Sequence, residues 1–212
     1  MTLERDTYRA LEDIVGSENI SEEPAVMYSY ALQCFTKAFS REPFGIRPEA
    51  VLLPGNTGEV QAIVRACNKH NIKFKALSTG WGPMSTAGSE GMVQLDLRRM
   101  NRILEINEKA MYAVVEPYVI GAQLQAELMK RGLNCNITGA GSNTSALPLS
   151  GLMGTGHTAV STSYNNRNVL GVEWVLPTGE ILRLGSLGSG AGWLWMISVP
   201  MATCTVTGTR CR

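Results

Sequence analysis

Several features that would settle the class of a protein at once are missing from this sequence. No C-x-x-C pair occurs, and the five cysteines (Cys34, Cys67, Cys135, Cys204 and Cys211) are odd in number and widely spaced. That spacing argues against a disulfide framework and against a zinc site built on paired thiolates. Neither sign of charge prevails, since 19 basic residues face 18 acidic ones. No broad field therefore selects nucleic acid or an anionic membrane surface. No run of residues is apolar enough to span a bilayer. The opening segment, MTLERDTYRALEDIVG, is charged and amphipathic, unlike a signal peptide. Together these absences predict a cytoplasmic protein with reduced thiols, no metal, and neither nucleic-acid nor membrane partners.

What is plentiful is glycine, with 22 residues concentrated after Gly80. Glycine loses the most freedom on ordering, so its density implies sharp turns or close approach of the backbone to something else. Residues 3–15 place Leu3, Tyr8, Leu11, Ile14 and Val15 on one stripe, with Gly16 where a helix would end. AVLLP (50–54) reads as a short buried strand. Asn56 and Glu59 resemble a capping box, and Val60, Ile63, Val64 and Cys67 follow at helical spacing. IKFKAL (72–77) is a second strand, predicting a compact β-α-β unit. MVQLDL (92–97) is read with the later strands; RILEIN and YAVVEP form a hairpin. A helix spans 120–133 with Gly132 at its end, and LGVEWVLPTGEILRL reads as strand, turn, strand.

Two glycine- and hydroxyl-rich tracts carry the functional question. The first, KALSTGWGPMSTAG (75–88), follows a strand directly. Consecutive amides in such a turn can converge on one anion without a cationic side chain. It is neither a G-x-G-x-x-G fingerprint opening a helix nor a P-loop, because no G-K-[ST] follows. Alone it leaves an ordinary turn and a phosphate cradle equally open. The second tract fills residues 139–163.

In order and spacing, the blocks RPEAVLLPGNTGEVQAIVRACNKHNIKFKALSTGWG, LDLRRMNRILEINEKAMYAVVEPYVIGAQLQAELMKRGL and GAGSNTSALPLSGLMGTGHTAVSTSYNNRNVLGVEWVLPTGE resemble the FAD-binding domain of the vanillyl-alcohol oxidase / p-cresol methylhydroxylase (PCMH-type) family. The resemblance runs from about residue 47 to 185 and leans toward the glycolate oxidase D-subunit and D-lactate dehydrogenase branch. The interval from Gly156 and His157 to Asn168 also resembles the berberine-bridge-enzyme branch. The resemblance implies that Ser78, Thr79, Gly80, Trp81, Gly82 and Pro83, with Met84 beside them, hold the FAD diphosphate. It implies that Gly141, Ser142, Ser150, Gly151, Gly154, Thr155, Gly156 and His157 pass beside the ribityl chain and flavin ring. The implied fold class is α+β, in two subdomains of about 47–78 and 92–185 with FAD between them. The smaller is a β-α-β unit, and the larger is a mostly antiparallel sheet with a flanking helix. Residues 1–46 are expected as a helical extension packed outside.

Three departures from the family pattern stand out. Trp81 occupies the place where many relatives carry a flavin-linking histidine, so FAD is expected to be non-covalent there. Arg167 replaces an aspartate. From about Leu194 the sequence LWMISVPMATCTVTGTRCR shows no helical or strand periodicity, and 191–212 is expected to be an aberrant, truncated or out-of-frame tail, without a substrate domain. The implied activity is oxidation of a hydroxyl-bearing carbon, as in glycolate or D-lactate, with an electron-carrier protein or oxygen as acceptor. The alternatives are a catalytically inert flavin-binding module or a nucleotide-binding module without redox function. His157 is read as a cofactor contact or structural residue, and His70 as a helix-end residue without function. Trp174 and Trp193 are read as packing residues. Arg98, Arg99 and Arg102 are expected on a solvated surface, and Cys67 and Cys135 as small buried apolar residues.

Overall fold

The computed structural model of the chain describes residues 3–31, 46–80, 89–135, 142–146, 169–185 and 196–198. They fall into two units, one of Met1–Arg99 with Val175–Ile181, the other of Met100–Trp174 with Leu182–Arg212. The architecture is α+β.

The first unit begins with α1 (Arg5–Val15), a 3-10 turn (Ser17–Asn19), β1 (Ile20–Ser21) and α2 (Pro24–Ala31). Gly16 ends α1 with φ +87°, and its N–H donates to the Glu12 carbonyl at 2.7 Å. Then follow β2 (Ala50–Leu52), α3 (Thr57–Lys69), β3 (Lys73–Leu77), β4 (Met92–Asp96) and a second 3-10 turn (Leu97–Arg99). The capping residues behave as their chemistry dictates. The Asn56 side chain accepts from the Glu59 N–H at 3.0 Å, and the Glu59 carboxylate accepts from the Gly55 N–H at 2.7 Å. One orphan amide of α3, that of Glu59, is thereby satisfied, together with the Gly55 amide just ahead of the N-cap.

The strand order corrects two expectations. The sheet runs β1-β2-β4-β3, with β4 parallel to both β2 and β3 and β1 antiparallel to β2. Met92–Asp96, read with the antiparallel strands, is instead an inner strand of the parallel sheet, so β2 and β3 are not neighbours. Burial rather than sequence marks the place: Val93, Gln94, Leu95 and Asp96 are all buried, although Gln94 and Asp96 interrupt the apolar run. Nor is the N-terminal segment an external extension. Tyr8, Leu11 and Val15 of α1 and Ile20 of β1 join Ala50, Leu52, Ile63, Cys67, Val93 and Leu95 in one core. A parallel sheet needs cover, and α1 supplies part of it beside α3.

In the second unit β5 (Ile103–Asn107) and β6 (Tyr112–Val115) form the expected antiparallel hairpin. α4 (Gly121–Met129) buries Leu124 and Leu128. Gly132, at φ +69°, reverses the chain, and the Leu133 N–H donates to the Leu128 carbonyl at 3.0 Å. β7 (Val169–Val175) and β8 (Ile181–Gly185) flank a tight turn. β9 (Met196–Ser198) completes a five-stranded sheet of order β5-β6-β9-β7-β8. These three residues, expected in an aberrant tail, are thus a central strand, antiparallel to both β6 and β7. A three-residue strand is too short to show alternation in sequence; its partners define it. The core here gathers Ala113, Val115, Val119, Leu124, Leu128, Leu133, Cys135 and Ala146.

The β7–β8 turn belongs to the first unit. Gln61 Nε2 of α3 donates to the Gly179 carbonyl at 2.8 Å, and Asn68 Nδ2 to that of Pro177 at 2.6 Å. Gly179 has φ +81°, and a Cβ there would lie 2.6 Å from Arg65 Cγ.

Candidate functional site

Three parallel strands end at one edge of the first sheet, and the residues that follow them are where ligands bind in open sheets of this kind. Ser78, Thr79 and Gly80 follow β3 there. Gly80 has φ +69°, while a Cβ on it would meet only Leu77 Cδ1 at 3.6 Å. The backbone conformation, not lack of room, therefore calls for glycine. A positive φ is half of the alternation that turns successive amides toward a common point. Lys75, on β3, is partly buried, and desolvation holds its ammonium pKa below the usual range. Beyond the first tract, the Ser89 hydroxyl oxygen is buried and has no hydrogen-bond partner among the described residues.

The turn after β4 holds features that sequence reading missed. Asp96 is 1 % exposed and ends β4. Its carboxylate accepts from the Tyr30 hydroxyl at 2.6 Å, the Arg98 N–H at 2.9 Å and Arg98 Nε at 2.8 Å. Arg98 Nη2 also donates to the Tyr30 hydroxyl oxygen at 2.9 Å. Arg99 Nη1 donates to the Leu53 carbonyl at 2.7 Å and lies 3.5 Å from the Glu59 carboxylate. A Cβ on Gly55 would sit 2.8 Å from Arg99 Nη2, so glycine there admits the guanidinium. In the second unit Arg102 Nη2 meets the buried Glu116 carboxylate at 2.6 Å, and that interaction raises the Arg102 pKa. The three arginines are thus not merely a solvated cluster: Arg98 and Arg102 bind buried carboxylates, and Arg99 joins the start of α3. The available signal was the aspartate two residues before Arg98 at a strand end.

Ser142 is partly buried and begins a short segment docked beside α4. Gly121 N–H donates to the Thr144 carbonyl at 2.9 Å, and Ala146 N–H to that of Val119 at 2.7 Å. The buried Ser145 hydroxyl donates to the Pro117 carbonyl at 2.6 Å. The Thr144 hydroxyl oxygen, by contrast, is buried without a partner among the described residues. Trp81, Gly82, Pro83, Gly141, Ser150, Gly151, Gly154, Thr155, Gly156 and His157 lie outside the described residues, as do Arg167 and Trp193. Trp174, expected to pack, is 51 % exposed on β7. Cys67 and Cys135 are buried free thiols, as expected. His70 caps the C-terminal end of α3 and shares a 3.2 Å hydrogen bond with the Thr7 hydroxyl. A cavity of about 240 Å³ beside His70 is lined by residues that precede the strands, away from the Ser78–Gly80 turn.

A left-handed glycine turn directly after a parallel strand, with Ser78 and Thr79 preceding the glycine, fits the phosphate of a nucleotide cofactor. That is the class of a nucleotide-cofactor domain. Comparison with known proteins defines it further. The profile described as "FAD binding domain" matches residues 48–185. The chain belongs to this FAD-binding-domain family. It is 31 % identical over 155 residues to the 4-cresol dehydrogenase [hydroxylating] flavoprotein subunit of Pseudomonas putida, covering 71 % of this chain and 29 % of that one. It is 29 % identical over 191 residues to glycolate oxidase subunit GlcD of Bacillus subtilis, covering 85 % and 38 %. Among solved structures, a 4-ethylphenol oxidase from Gulosibacter chungangensis superposes with a TM-score of 0.77 at 28 % identity, covering 92 % of this chain and 42 % of that one. p-Cresol methylhydroxylase shares the fold, with a TM-score of 0.75 at 22 % identity. The chain thus spans roughly a third of the length of these curated relatives. No helix among the described residues is long and apolar enough to cross a membrane.

Proposed function

We propose that this chain is the FAD-binding part of an oxidoreductase that oxidises a hydroxyl-bearing carbon, with a 2-hydroxy acid such as glycolate or D-lactate as substrate. The observation that carries the reading is the family match over residues 48–185, within which a left-handed glycine turn follows a parallel strand. Ser78, Thr79, Gly80, Trp81, Gly82 and Pro83 would hold the diphosphate of FAD through backbone amides and hydroxyls. Gly141, Ser142, Ser150, Gly151, Gly154, Thr155, Gly156 and His157 would line the ribityl chain and ring. FAD, when bound, supplies the two-electron acceptor, at flavin N5, for a hydride leaving the substrate carbon; the protein orients it. Indole offers no imidazole nitrogen, so Trp81 makes the attachment at that turn non-covalent. An electron-carrier partner is favoured by the likeness to a relative described as a flavoprotein subunit.

A second reading has its own observation. Both 4-cresol dehydrogenase and 4-ethylphenol oxidase are similar to this chain, which favours a para-alkylphenol substrate. One experiment separates these readings. The purified chain, reconstituted with FAD, should be yellow and should release its flavin intact on denaturation. Anaerobic bleaching by D-lactate or glycolate supports the hydroxy-acid reading, and bleaching by 4-ethylphenol the second. Bound flavin with no bleaching by any of the three counts against both substrate readings and favours an inert flavin-binding module. A colourless protein after reconstitution overturns the FAD reading itself.

A further inference from the structure

We propose that Asp96 is a positioning residue for the cofactor turn at Ser78–Gly80, acting through the strand ends and not by touching the cofactor. The inference rests on the FAD reading above. Asp96 is paired in register with Leu77, the last residue of β3, so Ser78 leaves the sheet directly beside it. Its carboxylate gathers donors from two places: the Tyr30 hydroxyl of α2, and the backbone and side chain of Arg98. The 3-10 turn that follows is tied on its other side as well. Arg99 reaches the Leu53 carbonyl, and its guanidinium lies beside Glu59, whose carboxylate holds the Gly55 amide. Because β4 lies between β2 and β3, this one turn sits between the β2–α3 junction and the start of the cofactor turn.

An amide cradle binds an anion well only if its donors are held in place before the anion arrives; otherwise binding must order them. A buried carboxylate with several donors, at least one of them charged, is a rigid anchor. Replacing it with an amide keeps its shape but removes its charge, and an amide NH₂ then confronts the Arg98 groups, which only donate. The turn it holds would loosen while the hydrophobic core of the unit, built on other residues, stays intact.

The test measures FAD and ADP affinity in the full chain for Asp96→Asn, Tyr30→Phe and Thr7→Val. The last removes a buried hydroxyl of the same unit whose hydrogen-bond partner, His70, precedes β3. Asp96→Asn should weaken both ligands by roughly ten-fold and Tyr30→Phe by about three-fold. Thr7→Val should lower the unfolding temperature without changing either affinity. Equal affinity losses in Thr7→Val and Asp96→Asn at matched stability would reduce Asp96 to a purely structural role and overturn the proposal. Unchanged affinity in Asp96→Asn would do the same. If Asp96→Asn does not fold, Tyr30→Phe decides, and unchanged affinity there overturns it. A wild-type chain that binds neither FAD nor ADP fails the FAD reading itself and takes this proposal with it.

Discussion

Burial pushes the thiol of Cys67 up to about 11 and that of Cys135 up to about 12. The ordinary value of 9.0 applies to the unfolded chain. Below that pH both states keep their thiol protons, and the stabilisation is fully present. As pH rises from 9 toward the folded values, the unfolded chain releases protons that the folded chain retains, so stability falls. Unfolding temperature measured from pH 8 to about 11 should therefore decline, and a Cys67→Ala/Cys135→Ala variant should decline less steeply, although from a lower start. At this scale the sequence was partly legible. Thiols without partners in a spaced, odd set read correctly as apolar core residues. The arginines are exposed, as expected, but their partners were not legible, because a sequence shows a charge and not the buried carboxylate it meets across a turn. Trp174 misled for the same reason: its apolar area invites burial, yet its strand turns it half outward.

At the scale of elements, α3 was legible nearly residue by residue. Its cap, its acidic third position and its buried face all lie within a few turns of chain, where local chemistry decides. Asn56→Ala should cost about 1 kcal/mol, read as a lower urea midpoint with an unchanged slope. The grip of α3 on the β7–β8 turn was not legible. Gln61 and Asn68 reach carbonyls more than a hundred positions away. Gly179→Ala adds a left-handed strain to a contact with Arg65 and should destabilise by about 1 kcal/mol or more, again by urea denaturation. Strand existence was readable from β-branched and apolar runs, whereas strand order was not. Nothing local distinguishes the Met92–Asp96 run as an inner strand of one sheet from a member of another.

For the whole molecule, FAD that binds only the folded chain must stabilise it by mass action. At free FAD one hundred times its dissociation constant the gain should be about 2.7 kcal/mol, seen as a rise in unfolding temperature that grows with FAD concentration. The cofactor class was visible in the sequence because two glycine tracts and the blocks between them keep a family order. The cluster at the end of β4 was not visible, since Tyr30, Asp96 and Arg98 converge only after the sheet has formed.

The order β1-β2-β4-β3 also bears on how the chain is made. β2 and β3 emerge from the ribosome before β4, yet neither hydrogen-bonds to the other; β4 joins them. A nascent chain that has not reached Met92 therefore carries the apolar strand β2 and the mixed strand β3 with an empty lane between them. Until β4 arrives, that lane is the part of the first unit most open to a wrong neighbour, and a pause in synthesis there would be felt more than one placed after Arg99.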